Sequence, residues 1–217
     1  MYYKVLFMEE KNLAPIETLQ DIKQMMERSR RFISLSGLSG IAAGACALAG
    51  IYFVYQETGC WMIKDCLVPR LLQGDAELEK KLYLIAGMTF AAAFLSAFFF
   101  TWLRSRKNSI PVWGPVARRL MWNVALPLVT GAFFLYAMIR LGQYELIAPG
   151  CLVFYGLALV NASRYTLSDI RYLGYLEIIL GLLNAFMPAY GLQYWATGFG
   201  FLHIIYGVIM WWRHERK

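Results

Sequence analysis

Residues 82–103 read LYLIAGMTFAAAFLSAFFFTWL. The run carries no charge and is as long as the roughly 20 residues that an α-helix needs to cross a bilayer core. Five further apolar runs flank it, and they set the expected spans at about 32–55, 82–103, 121–140, 146–163, 171–189 and 193–212. A single soluble core has no use for so many runs of that length. The chain is 59% hydrophobic and only 16% charged, with a mean hydropathy of +0.47. A soluble domain holds about a quarter charged residues, so the soluble class is set aside.

The charges sit in clusters between the runs. Arg28, Arg30 and Arg31 precede the first span. Arg104, Arg106, Lys107, Arg118 and Arg119 lie between the second and third, Arg164 and Arg171 between the fourth and fifth, and Arg213 to Lys217 close the chain. With six spans these regions fall on one side, Arg140 being the main basic exception. The positive-inside rule then puts both termini in the cytoplasm of a cell whose inner membrane holds the protein. The net charge of +7 is read as topological, and no nucleic-acid partner is expected. The lipid bilayer is the expected partner, with a homo-oligomer or a membrane protein as further possibilities. Trp102, Trp122, Trp195, Trp211 and Trp212 fall near span ends, where amphipathic rings anchor at headgroup level.

Ahead of the spans, Ile16, Leu19, Ile22, Met25 and Met26 recur at intervals of three and four after Pro15. That spacing predicts an amphipathic helix on the membrane surface. The expected division is a cytoplasmic segment, 1–31, and a transmembrane domain, 32–217. No cleavable signal peptide is expected, because the first apolar run follows a long charged stretch. The fold class is therefore an all-α membrane protein of six transmembrane helices in three hairpins, preceded by an amphipathic N-terminal helix. Recurrent glycines within the hairpins suggest a triplicated unit.

The last hairpin, residues 173–212, carries Gly181, then Phe186-Met187-Pro188 at the turn, then Gly191. It resembles the hairpin unit of the small bacterial acid-resistance membrane protein family. The 56–81 loop and the N-terminal helix depart from that family's pattern. Through MMERSRRFISLSGLSG the whole chain resembles a family of six-span bacterial inner-membrane proteins, a resemblance that implies a fold and no activity.

Three groups of residues could carry chemistry or assembly. Ser36, Gly40 and Gly44 share one face of the first span, and small residues at that spacing let helices approach closely, within the chain or in a dimer. Ser34, Ser36 and Ser39 could instead line a polar path. Glu177 is the only acidic residue well inside a span, and such residues normally face protein or water. His203 lies in the sixth span at a depth about 5 Å from that of Glu177, at 1.5 Å per helical residue. The two could pair, directly or through Tyr206 or water, either as a buried polar pair that orders the hairpin or as a proton or substrate site. Asn184, seven residues from Glu177, shares its face. Cys60 and Cys66 lie in the expected external loop, where oxidising conditions would allow a disulfide. Cys46 and Cys151 read as small apolar fillers.

No serine-hydrolase or zinc-protease signature occurs, so no catalytic residue, metal or cofactor is assigned. The leading functional expectation is a non-enzymatic inner-membrane protein acting through protein or lipid contacts. The alternative is a small transporter or channel-like protein with a polar site at Glu177, Asn184 and His203. An intramembrane enzyme acting on lipid through His203 is a third.

Overall fold

The computed structural model describes residues 36–107 and 113–216. The amphipathic segment expected before residue 32, and Ser34, lie outside the described residues. Within them every regular element is helical: α1 Gly37–Thr58, α2 Val68–Leu72, α3 Ala76–Lys107, α4 Pro115–Arg140, α5 Ile147–Ala162, α6 Ile170–Phe186, α7 Gly191–Trp195 and α8 His203–His214. A π-helical turn, Ile63–Leu67, leads into α2, and a second, Ala196–Leu202, joins α7 to α8. Residues 191–214 thus run as one long helical segment.

Among the described residues five helical segments are long and apolar enough to cross a membrane: Gly37–Leu72, Ala76–Lys107, Pro115–Arg140, Tyr144–Ala162 and Pro188–Arg213. The apolar α6, at 17 residues, is slightly shorter than these. Helix α3 begins well before its apolar run because Asp75 starts it. The Asp75 carboxylate accepts the Leu78 N–H at 3.1 Å, the usual way an aspartate satisfies a free donor of the first turn. Its apolar side chains point outward: Phe90 is 70% exposed and Leu84 68%. A helix apolar all round belongs in a core or in lipid, and among the described residues α3 is packed mainly on its side toward α1.

Helix packing differs in one respect from three closed hairpins. Helix α1 packs along α3, and α4 along α5, as adjacent hairpin partners do. The last two segments part company. Helix α6 packs chiefly along α5, whereas α8 and the π-turn before it pack along α1. Glycines decide this. A Cβ on Gly156 of α5 would lie 2.7 Å from the Gly174 carbonyl oxygen of α6, and a Cβ on Gly174 would lie 2.8 Å from that of Gly156. Without side chains the two backbones touch, the contact that drives helix association in lipid.

Side-chain contacts gather the helix ends. Glu215, just past α8, binds Ser36 before α1 and Arg104 near the end of α3. Arg213 of α8 lies 3.7 Å from Asp169 before α6, and Arg171 of α6 reaches Ser163 after α5. Asn161 of α5 reaches the Asn123 carbonyl of α4. The starts of α1, α4 and α6 therefore meet the ends of α3, α5 and α8 at one end of the bundle, where the arginines accumulate. At the other end, the loop after α1 is folded rather than open. Ile63, Leu67, Val68 and Leu78 form a buried apolar cluster joined by Leu71, Leu82, Tyr144 and Leu192, which caps that end. Cys60 and Cys66 are bonded there, their Cα atoms 6.4 Å apart.

Candidate functional site

Three helical segments meet at Glu177. It lies on the face of α6 that also buries Gly174, Gly181 and Asn184. Both Glu177 and Asn184 have no exposed surface. Across from Glu177, the π-turn brings Gly198 so near that a Cβ there would lie 2.5 Å from Glu177 Oε2 and 2.5 Å from Leu152 Cδ2. Only a glycine admits the carboxylate at this point. A π-turn inserts one residue into the helical ladder, and such insertions are frequent at functional sites.

His203, the first residue of α8, stands beside it. Its Nδ1–H points at the Gly198 carbonyl oxygen, 2.9 Å away, and lies 3.4 Å from Glu177 Oε1. With the proton on Nδ1, Nε2 is the acceptor, and the Tyr155 hydroxyl of α5 donates to it at 2.8 Å. Phe199 packs against both rings, its centroid 5.0 Å from that of Tyr155 and 5.9 Å from that of His203. Trp195 extends the aromatic wall, 4.9 Å from Phe199. The imidazole is thus fixed in one orientation by a donor, an acceptor and a stacked ring.

The carboxylate is not satisfied in the same way. Neither Glu177 oxygen accepts a hydrogen bond from a protein donor. A buried acceptor without a partner costs free energy, more so when charged. The cluster therefore presents a carboxyl group with unused acceptor capacity inside an apolar bundle.

The remaining expected residues fall elsewhere. Asn184 does not join Glu177; its amide donates to the Met187 carbonyl oxygen at 3.1 Å, closing the end of α6. Tyr206 does not bridge Glu177 and His203. The hydroxyl on His203 is that of Tyr155, and the Tyr206 hydroxyl is buried without a partner. Gly40 and Gly44 face α8 and the π-turn within the same chain. A Cβ on Gly44 would lie 2.7 Å from the Gly200 carbonyl oxygen, and one on Gly40 3.2 Å from that of His203. Ser36 binds Glu215 and Ser39 bonds back to the Ser36 carbonyl, so neither lines a path. Among the described residues no three His, Cys, Asp or Glu side chains come together as a metal-binding group.

Sequence reasoning missed Tyr155, which lies in an unbroken apolar run and has no positional signal. It also missed Glu215. That side chain accepts from Ser36 Oγ at 3.1 Å and from the Gly37 N–H, and pairs with Arg104 at 2.6 Å, both partners of the pair nearly buried.

Long apolar helices and an ionisable group enclosed among them define a helical protein of multi-pass membrane type. Comparison with family models, with curated proteins and with solved structures found no match.

Proposed function

We propose that the chain crosses a bacterial inner membrane six times, with both termini cytoplasmic, and is a small transporter or channel-like protein whose functional group is Glu177. Helix α6, at 17 residues, falls at the short end of the lengths that span a bilayer. The gathering of alternate helix ends, with the arginines at that end, supports six crossings and the cytoplasmic assignment. The observation that carries the function is the Glu177 carboxylate: fully buried, held against Gly198 and His203, and without a hydrogen-bond donor on either oxygen. Evolution rarely leaves such a group in hydrocarbon for structure alone, because a carboxylate there is costly.

The test is reconstitution into liposomes with a panel of protons, sodium and small organic ammonium and carboxylate solutes. Glu177→Gln should abolish the flux that the wild-type protein shows while leaving its thermal unfolding unchanged. An equal loss of folded protein would assign Glu177 to structure instead.

A second reading, a non-enzymatic protein acting through contacts with lipid or another membrane protein, is favoured by α3. Its exposed Phe90, Phe94 and Phe98 form a stripe at spacings of four residues that nothing among the described residues covers. Under that reading Glu177→Gln leaves every flux at the level of empty liposomes, as does the wild-type protein.

A further inference from the structure

Buried side-chain oxygens without a hydrogen-bond partner are not scattered through the described residues. They are Glu177 Oε1 and Oε2, Asn184 Oδ1, Gln193 Oε1 and Tyr206 Oη. All belong to α6 or to the 191–214 segment, and none to α1, α3, α4 or α5. They are also spread in depth. Gln193 lies in α7 and Asn184 in the last turn of α6, both at the capped end of the bundle. Glu177 lies seven residues back along α6, about 10 Å deeper at 1.5 Å per residue. Tyr206 stands one turn past His203, nearer the arginine-rich end. The orphaned oxygens thus follow one seam across the bundle.

Glycines lock α6 to α5 and lock the last segment to α1, which leaves α6 and the last segment to meet through side chains. A cavity of about 330 Å³ opens between them at the capped end, lined by Leu180, Met187, Tyr190, Gln193, Tyr194 and Thr197. Two of its lining residues neighbour the carboxylate site along the chain: Leu180 is one turn from Glu177 on α6, and Thr197 precedes Gly198.

The chemistry selects what such a seam would pass. Carboxylate and amide oxygens accept hydrogen bonds and repel anions. One carboxylate, with no metal-ligating group of three around it, suits a single positive charge better than two. The narrowing at Gly198 sets the size. Even a methyl group added there would lie 2.5 Å from Glu177 Oε2 and from Leu152, so a bulky organic cation does not fit beside the carboxylate.

We propose that the seam between α6 and residues 191–214 conducts a small monovalent cation, a proton or sodium, which enters through the cavity at the capped end, passes the Gln193 oxygen and then Thr197, and is held at Glu177. This inference rests on the functional role of Glu177 argued above and adds the class of substrate and its entrance.

The test uses the full chain in liposomes of phosphatidylethanolamine and phosphatidylglycerol. Proton entry is read with a trapped pH dye and sodium entry with a trapped sodium dye, the potential being clamped with potassium and valinomycin. Thr197 is exposed on the cavity wall, so Thr197→Trp should fill the entrance without disturbing the fold, and Gln193→Leu removes the first oxygen. The expected result is a fall of at least tenfold in one of the two fluxes for Thr197→Trp and Gln193→Leu. Glu177→Gln should bring the same flux to the level of empty liposomes. Whichever dye responds identifies the cation. Flux lost in Glu177→Gln but unchanged in both cavity variants would overturn the seam and leave the role of Glu177 standing. A wild-type protein that passes neither protons nor sodium, yet carries another solute in a Glu177-dependent way, would overturn the choice of cation alone and with it this proposal.

Discussion

Gly37 and Gly207 stand backbone to backbone: a Cβ on Gly207 would lie 2.6 Å from the Gly37 carbonyl oxygen and 2.7 Å from the Ile41 nitrogen. The contact fixes where α8 crosses α1 and hence how deep His203 sits. Neither helix can move aside without breaking the Gly44 contact further along. We therefore expect Gly207→Val to destabilise the protein by about 1–3 kcal/mol, the usual cost of forcing side-chain volume into a packed interface. Gly87→Val is the control, because a Cβ on Gly87 meets nothing within 4 Å. Thermal unfolding in detergent compares them. Equal effects of the two substitutions would show that α1 and α8 are not in backbone contact.

Glu215 ties three helix ends together through Ser36, the Gly37 N–H and Arg104. Removing Glu215 takes a charge-assisted contact from a nearly buried guanidinium, and hydrogen bonds to charged groups contribute about 1.5–3 kcal/mol. Glu215→Gln loses the negative charge facing Arg104 but keeps an oxygen for the Gly37 N–H. Glu215→Ala loses both. The alanine variant should accordingly unfold at lower temperature than the glutamine variant, and both below wild type. If Ala and Gln prove equal, the helix-capping contact contributes nothing and only the ion pair matters.

Much of this architecture can be read from the chain before any coordinates. Uncharged runs such as 82–103 mark the helices because hydrocarbon demands both length and apolarity. Counting residues from span ends brought Glu177 and His203 to similar depth, and their nearest atoms are 3.4 Å apart. What could not be read is partner choice. A glycine permits close approach but does not say to which helix, so the pairing of α6 with α5, and of α8 with α1, had no sequence signal. Tyr155 looked like any aromatic in an apolar run, and Tyr206 was nearer in sequence to His203. Glu215 sits in RHERK, where its neighbours suggest a charge that only sets topology. The folded cap was hidden by the mixed charge of residues 56–81, which reads as loop although Ile63, Leu67 and Val68 are buried.

The hydrogen bonds around His203 specify a tautomer. Nδ1 faces a carbonyl, which only accepts, and Nε2 faces a hydroxyl, which can donate. The neutral ring should carry its proton on Nδ1. Nitrogen chemical shifts of selectively labelled protein would report it directly. Tyr155→Phe keeps the ring stacking on Phe199 but removes the donor to Nε2. Its expected signature is a shift of the Nε2 resonance with little change at Nδ1. A proton found on Nε2 in the wild-type protein would mean that the Tyr155 hydroxyl points elsewhere and that the imidazole is not held as described.

The bond between Cys60 and Cys66 closes a short ring at the base of the folded cap, next to the buried Ile63. Chain-entropy arguments give a ring of this size about 2 kcal/mol of stabilisation, by limiting the unfolded chain. Ile63 also fills the space above Gly191, where a Cβ would lie 3.3 Å from Ala148 Cβ, so loosening the cap should loosen the start of α7 as well. The double variant Cys60→Ser, Cys66→Ser is expected to unfold several degrees below wild type and to show faster amide exchange at residues 189–194. Peptide maps with and without reductant check the bond itself. If both cysteines alkylate in unreduced protein purified from the membrane, the ring is open in the cell and the cap is held by its apolar cluster alone.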